Sequence, residues 1–290
     1  MEKYSVFVPK ILPKEENFVS GRRSCKGCGK ALALRIAAKA IKEATPFSLN
    51  KNSSLNRLVS SGFNWNESSF SSIVELLLES IDKKDKIQKP IIAIDFSVFS
   101  KNLVSLHSIV EKDKNLLLLI YDNEPYMDEI VNAYRPLPFG VDYHQEFPGI
   151  KELLFTFENK NFFHTIEKFT LSYAASASAS YPFDLIDKIK NALNVKGTSL
   201  LHIHSPCPTG WIFPSSETIK AGILAVESGF HQLWEYKNKK LYVEKLYQDK
   251  ERLNQYINFQ KRYRYMPKGF IDMLFECIEK ESNFVMSKIK

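Results

Sequence analysis

The stretch Leu116 to Tyr121, reading LLLLIY, narrows most sharply what this chain can fold into. An amphipathic helix needs a polar face, and a strand on a sheet surface alternates polar with apolar. A short unbroken apolar run instead suits a strand covered on both faces, as in a parallel sheet with helices on either side. The same pattern recurs. Pro90 opens a compact segment, Ile91-Ile92-Ala93-Ile94, and Leu200 to His204 reads as another strand, while SYAASASAS sits where a further strand belongs. Between these, apolar residues fall at helical spacing. Leu34, Ala37, Ala38 and Ile41 mark a helix from Lys30 to Ala44. Asn66, Glu67 and the serines after them open a helix carried by Ile73, Leu76, Leu77 and Ile81, and Leu103, Leu106 and Val110 mark the next. Leu185, Ile186, Ile189 and Leu193 mark another, ended by Gly197. Ser215 or Ser216 caps a helix running to Val226 and stopped by Gly229, and Leu233 to Val243 reads as a hairpin turning near Asn238. Alternating strands and helices predict an α/β fold with a mostly parallel central sheet flanked by helices. Residues 1–244 form this domain in the sequence reading, and 245–290 a helical C-terminal extension.

With 290 residues, 44% of them hydrophobic, the chain can bury a sizeable core. No apolar run approaches the roughly 20 residues that cross a bilayer. The N-terminal MEKYSVFVPKILPKEE lacks the apolar centre of a signal peptide, so no membrane insertion and a cytoplasmic location are expected. The net charge of +7 permits nucleic-acid binding, but the lysines are interleaved with acids. The densest basic stretch, Lys261 to Tyr265, reads as a solvated or interface segment, and no nucleic-acid motif accompanies it. Nucleophile-elbow, phosphate-loop, dinucleotide-binding and H-E-x-x-H motifs are all missing. Hydrolase, kinase, dehydrogenase and metalloprotease readings therefore have no foothold.

Chemistry concentrates in a few segments. SCKGCGKALALR places Cys25 and Cys28 just ahead of a helix. Two thiolates so spaced can grip iron or zinc, and helix amides favour negative charge there; the bland alternative is a pair of small residues at a tight turn. Cys207, in HSPCPTGW, lies between two prolines that stiffen its loop, as suits a fixed ligand, though a lone loop thiol is usually inert. Cys277 reads as a core or interface residue. Asp95, Asp122 with Asn123, and His204 to Trp211 all follow predicted strands, where open α/β sheets bind ligands. Asp95 and Asn123 suit Mg²⁺ with a diphosphate, or serve only as turn and cap residues. His202 and His204 share a strand face and read as packed or exposed residues rather than ligands. His107, His144, His164 and His231 form no constellation.

Together these segments resemble a specific family. GRRSCKGCGKALALRIAAKAI is similar to the opening of pyruvate:ferredoxin (2-oxoacid:acceptor) oxidoreductase β subunits, with their C-x-G-C-G-x-A-L stretch. YDNEPYMD resembles the Y-D-N-E-A-Y-M-N segment of that family. SASYPFDLIDKIKNAL and HIHSPCPTGWIFPSSETIKAGILAVESGFHQLWEYKN match its late region, and the likeness spans roughly residues 18 to 265. The resemblance implies a thiamine-diphosphate pyrophosphate-type domain. It implies Cys25, Cys28 and Cys207 as three of four ligands of a [4Fe-4S] iron–sulfur cluster. It also implies Asp95, Asn123 and the Pro125 carbonyl on the Mg²⁺ of thiamine diphosphate. The implied reaction is oxidative decarboxylation of a 2-oxoacid to acyl-CoA. The implied partners are an α-type subunit carrying the pyrimidine-binding domain and a ferredoxin or ferredoxin-like subunit.

The chain departs from the pattern where Ile94-Asp95-Phe96 replaces G-D-G and Ser97 replaces the acid that often follows. The remaining cluster cysteine has no counterpart near Ser53, Ser54 or Phe63. Two further readings therefore stand beside a working β subunit. One is a non-catalytic β-like subunit serving assembly, electron transfer or regulation; the other is a zinc-stabilised interaction protein using the three cysteines and His204.

Overall fold

A computed structural model describes residues 12, 24–41, 47–50, 65–68, 89–96, 99, 107, 110–111, 115–123, 163, 166, 169, 171–263 and 269–289, with backbone alone for 47–50 and 65–68. Among these residues the strands are β1 (Phe47–Asn50), β2 (Trp65–Ser68), β3 (Ile91–Asp95), β4 (Leu117–Asp122), β5 (Tyr173–Ser178), β6 (Ser199–His204), β7 (Trp234–Lys237) and β8 (Lys240–Tyr242). They form one sheet in the order β2-β1-β3-β4-β6-β5-β7-β8. The strands from β2 through β5 in that order pair in parallel, and β7 pairs antiparallel with both β5 and β8. This is the mostly parallel, helix-flanked sheet expected from the sequence. Every residue of β3, β4, β5 and β6 is buried, as the unbroken apolar run at β4 required.

The helices are α1 (Gly29–Ala40), α2 (Pro182–Asn194), the single turn α3 (Pro208–Trp211), α4 (Thr218–Glu227), α5 (Lys250–Phe259) and α6 (Phe270–Lys288). Strand alternation sorts the core into layers. Ile91 and Ala93 of β3 and Leu117, Leu119 and Tyr121 of β4 face α1 and α2, meeting Ala33, Leu34, Ala37, Leu185 and Ile189. Ile92, Ile94, Leu118, Ile120 and Leu200 face the opposite way, against Phe163, Trp234 and Val285 of α6. A third cluster joins Trp211 to α4, α5 and α6 and contains the buried Cys277. Each fully buried Leu or Ile contributes about 1.5–3 kcal/mol through removal from water.

Some local expectations fail. Trp65–Ser68, including Asn66 and Glu67, is a strand rather than a helix start, because it pairs with β1 along its whole length. Long-range pairing overrides weak local helix signals. The first helix stops at Ala40, since Ile41 takes extended dihedrals, so it falls short of Ala44. Ser215 and Ser216 lie in a 3₁₀ turn, Ser215–Glu217, and neither caps α4 by its side chain. The Thr218 hydroxyl instead donates to Gly27 O at 2.6 Å, tying α4 to the turn before α1. Ile73 to Ile81, Leu103 and Leu106 lie outside the described residues. The hairpin turns at Asn238 and Lys239, both at positive φ, as a two-residue primed turn demands.

Lys89 fixes the entry to β3. Its buried ammonium donates to the Ala192 and Val195 carbonyls at the C-terminus of α2, at 2.8 and 2.9 Å, and to Ser199 Oγ at 2.6 Å. Terminal carbonyls of a helix lack internal partners and favour positive charge, so one lysine serves both needs.

Candidate functional site

Three neighbouring strands, β3, β4 and β6, end at Asp95, Asp122 and His204, and all three residues are buried. The ends of parallel strands are where such a sheet offers backbone and side chains to a ligand. Alternation gives the ends two sides. Asp95 continues the row of Ile91 and Ala93 toward α1, whereas Phe96 joins Ile92 and Ile94 in the opposite layer. There the Phe96 ring lies 5.7 Å from that of Phe99 and 5.2 Å from that of His202, between centroids.

On the α1 side, Asp95 is already engaged. Lys30, in the first turn of α1, places Nζ 2.6 Å from Asp95 Oδ1, with side-chain exposures of 5% and 6%. The sequence held a signal for this contact. Lys30 stands four residues before Leu34 and eleven before Ile41, on the apolar stripe of the helix, where a lysine needs a partner. Opposite Asp95 in the ladder is Tyr121, whose buried hydroxyl finds no hydrogen-bond partner among the described residues. Asn123 is buried just past β4, and its carbonyl accepts from Trp211 Nε1 at 3.2 Å. Pro125 lies outside the described residues, as do Ser53, Ser54, Phe63 and Ser97.

The two cysteine motifs meet through their backbones. Gly29 N donates to Pro206 O at 3.0 Å, and Cys28 N donates to Cys25 O at 3.2 Å. A Cβ on Gly29 would stand 2.3 Å from Pro206 O, and one on Gly27 would stand 2.1 Å from Ser215 O. Gly27 also needs its positive φ of 68°. Cys28 and Cys207 are half-buried while Cys25 is exposed. Burial pushes the Cys28 thiol above its ordinary value, against the pull of the Ala31 amide, and nearby Cys207 adds to the rise. Gly210 N donates to Cys207 Sγ at 3.3 Å, a bond that caps the short helix α3. Among the described residues no group of three or more His, Cys, Asp or Glu is arranged to hold a metal ion. The side chain of His204 is not gathered with the three cysteines. It stacks on His231, centroids 4.8 Å apart, and lies 5.7 Å from the Trp211 ring.

That stacking belongs to a cluster that sequence reasoning missed. His202 Nε2 is 2.9 Å from Asp122 Oδ2, and its ring centroid is 5.2 Å from that of His231. His231 Nε2 lies 2.9 Å from Ser176 Oγ and 3.0 Å from Ala177 O; a carbonyl only accepts, so the proton sits on Nε2. Burial first, then His204 and His202, push the His231 pKa well below its ordinary value, against the pull of Asp122. The packed reading of His202 and His204 agrees with these contacts. The place of His231 beside them, 27 residues beyond His204, had no signal in local spacing. Arg262, from the basic stretch, is likewise packed inside, 4.2 Å over the Trp211 ring.

A parallel α/β sheet with acids, histidines and a proline-flanked cysteine at adjacent strand ends defines the class. The relatives define the lineage. The chain is 30% identical over 293 residues to the ketoisovalerate oxidoreductase subunit VorB of Pyrococcus abyssi, covering 93% of this chain and 92% of that protein. It is 28% identical over 267 residues to the pyruvate synthase subunit PorB of Methanothermobacter marburgensis, covering 88% and 92%. Among solved structures it is similar to a 2-oxoglutarate:ferredoxin oxidoreductase from Magnetococcus marinus, with a TM-score of 0.44 and 16% identity over 69% of each chain. No family-wide sequence profile matches. The chain belongs to the β-subunit family of 2-oxoacid:ferredoxin oxidoreductases. Among the described residues no helix is long and apolar enough to cross a membrane.

Proposed function

We propose that this chain occupies the β position of a 2-oxoacid:ferredoxin oxidoreductase assembly as a non-catalytic subunit, seated against an α-type subunit that carries the pyrimidine-binding domain. The family relationship over nearly the full length supports the position. The buried Lys30–Asp95 pair carries the non-catalytic part. Mg²⁺ binds through oxygen ligands and keeps several waters, which needs a carboxylate with free lone pairs and room beside it. Asp95 instead accepts from an ammonium and is 4% exposed, and Ile94 and Phe96 stand where glycines would let a backbone approach a diphosphate. The residues present do not fit magnesium thiamine diphosphate.

The iron–sulfur cluster fares the same way. Of the four thiolates that the resemblance implies, Cys28 and Cys207 are neighbours, Cys25 is exposed at the turn, and the fourth position carries no cysteine, since the remaining one, Cys277, is buried in the third core cluster. A complete four-thiolate site does not fit this residue set. What remains well built is the packing of the CxGCG turn on the PCPTGW loop. A ferredoxin or ferredoxin-like subunit then meets the assembly through other chains.

Native co-purification tests this reading. The chain should bring down an α-type oxidoreductase subunit, and thiamine diphosphate in the assembly should fall far short of one per copy of this chain. Stoichiometric thiamine diphosphate, with coenzyme-A-dependent 2-oxoacid oxidation that Asp95→Asn abolishes, would overturn the non-catalytic reading. A chain recovered without any oxidoreductase subunit would overturn the position.

A further inference from the structure

We infer that the Lys30 ammonium is the resident counter-cation of Asp95, standing in place of a divalent metal, so that the end of β3 is closed electrostatically by the chain itself. The inference rests on the reading of Asp95 given above as the family's acidic position. Its observations are the 2.6 Å contact and the burial of both side chains. The placement of Lys30 in the first turn of α1 completes them. That helix is held at its start, where Gly29 N bonds to Pro206 O, and along its length, where Ala33, Leu34 and Ala37 lie in the core against the sheet.

A metal at the same carboxylate would have to displace the ammonium, because lysine has three donors and no lone pair for a cation. Displacement needs somewhere for the ammonium to go. Lys30 is 4% exposed, so moving its ammonium off Asp95 would require a buried charge to be housed again inside the protein or carried out to water. Sharing is also unfavourable, since it would set a divalent ion beside a fixed positive charge in a site with little water to screen it. The pair sets opposite charges 2.6 Å apart inside the protein, and one contact within the chain stands where the resemblance implies an ion.

Titration of the full chain with Mn²⁺, read by loss of the free-ion electron paramagnetic resonance signal, tests this. It needs no partner subunit, so it separates the state of the β3 end from the position of the chain in an assembly. Wild type and Asp95→Asn should give superimposable isotherms into the millimolar range. Lys30→Met should gain one Mn²⁺ at least roughly tenfold tighter, and Lys30→Met with Asp95→Asn should lose it. Wild-type uptake that disappears in Asp95→Asn would overturn the inference, as would a folded Lys30→Met chain that gains no ion. Should Lys30→Met not fold, the wild-type and Asp95→Asn pair still decides, because the amide keeps the shape and hydrogen-bonding oxygen while lowering the attraction for a metal.

Discussion

The carboxyl ends of β3 and β6 lie at the same end of the sheet with only β4 between them, and they hold to the family pattern very differently. At β6 the loop His204 to Trp211 retains every element of the resemblance. Trp211 is fully buried and bonded to Asn123, and both glycines of the cysteine turn are demanded by backbone atoms of the loop and its neighbour. At β3 the two glycines are Ile94 and Phe96, each buried in the layer opposite Asp95, and a lysine has taken the acid. The difference teaches what each motif is for. Residues around β6 are needed for the chain to fold against itself, with or without a metal. On the non-catalytic reading proposed above, the end of β3 needs no room for a ligand, and burying Ile94 and Phe96 there is favourable.

The largest effect expected comes from breaking the β3 pair. Lys30→Met should cost about 3–5 kcal/mol, because a buried carboxylate is left without its charge partner, and adding Asp95→Leu should recover most of the loss. Urea unfolding of the single and double variants measures it; a single variant within about 1 kcal/mol of wild type would show the pair to be open to water. Next is Gly29→Ala at the β6 end. Its methyl would meet three backbone atoms of Ser205 and Pro206 within 2.7 Å. A loss of about 3 kcal/mol, the upper range for overpacking, is expected, and a near-neutral result would mean that the cysteine turn is not pressed on the PCP loop.

A pH effect follows from the histidine cluster. The His231 pKa is lowered in the folded chain, so the unfolded chain binds more protons as pH falls below the ordinary value of 6.5. Stability is therefore complete above that value and declines beneath it, by up to about 1.4 kcal/mol per pH unit for one proton. Urea unfolding of His231→Gln should show a shallower decline than wild type, with His202, His204 and Asp122 left in place. Equal slopes would move the effect to another group. The smallest change concerns Ile212, a β-branched residue at φ 56° and ψ 64° that is 50% exposed. The left-handed region costs such a residue about 1–2 kcal/mol, and glycine loses part of that gain to its freer unfolded chain. Ile212→Gly should stabilise by about 1 kcal/mol; a loss instead would show that the isoleucine is held by contacts.

Much of the fold was legible because the signals were local. The apolar run at β4, the stripe on α1, and the hairpin around Asn238 each report their own structure over a few residues. Trp65–Ser68 was misread because its partner, β1, lies outside the local window that a helix signal spans, and pairing rather than propensity decided it. The site divides in the same way. The acids and cysteines were visible as motifs. The partner of Asp95 lies 65 residues away, and the histidine cluster draws on β6 and the segment after α4, so both became visible only once the sheet had brought those segments together. The lysine on an apolar helix stripe was the one clue to the first of these.

The contrast between the two strand ends is tested most directly by calorimetric titration of magnesium thiamine diphosphate into the chain assembled with its partner. Wild type and Asp95→Ala should both give no binding heat assignable to this chain. Sub-micromolar binding by wild type that vanishes in Asp95→Ala would show that the end of β3 still opens to its ligand, and would contradict the account.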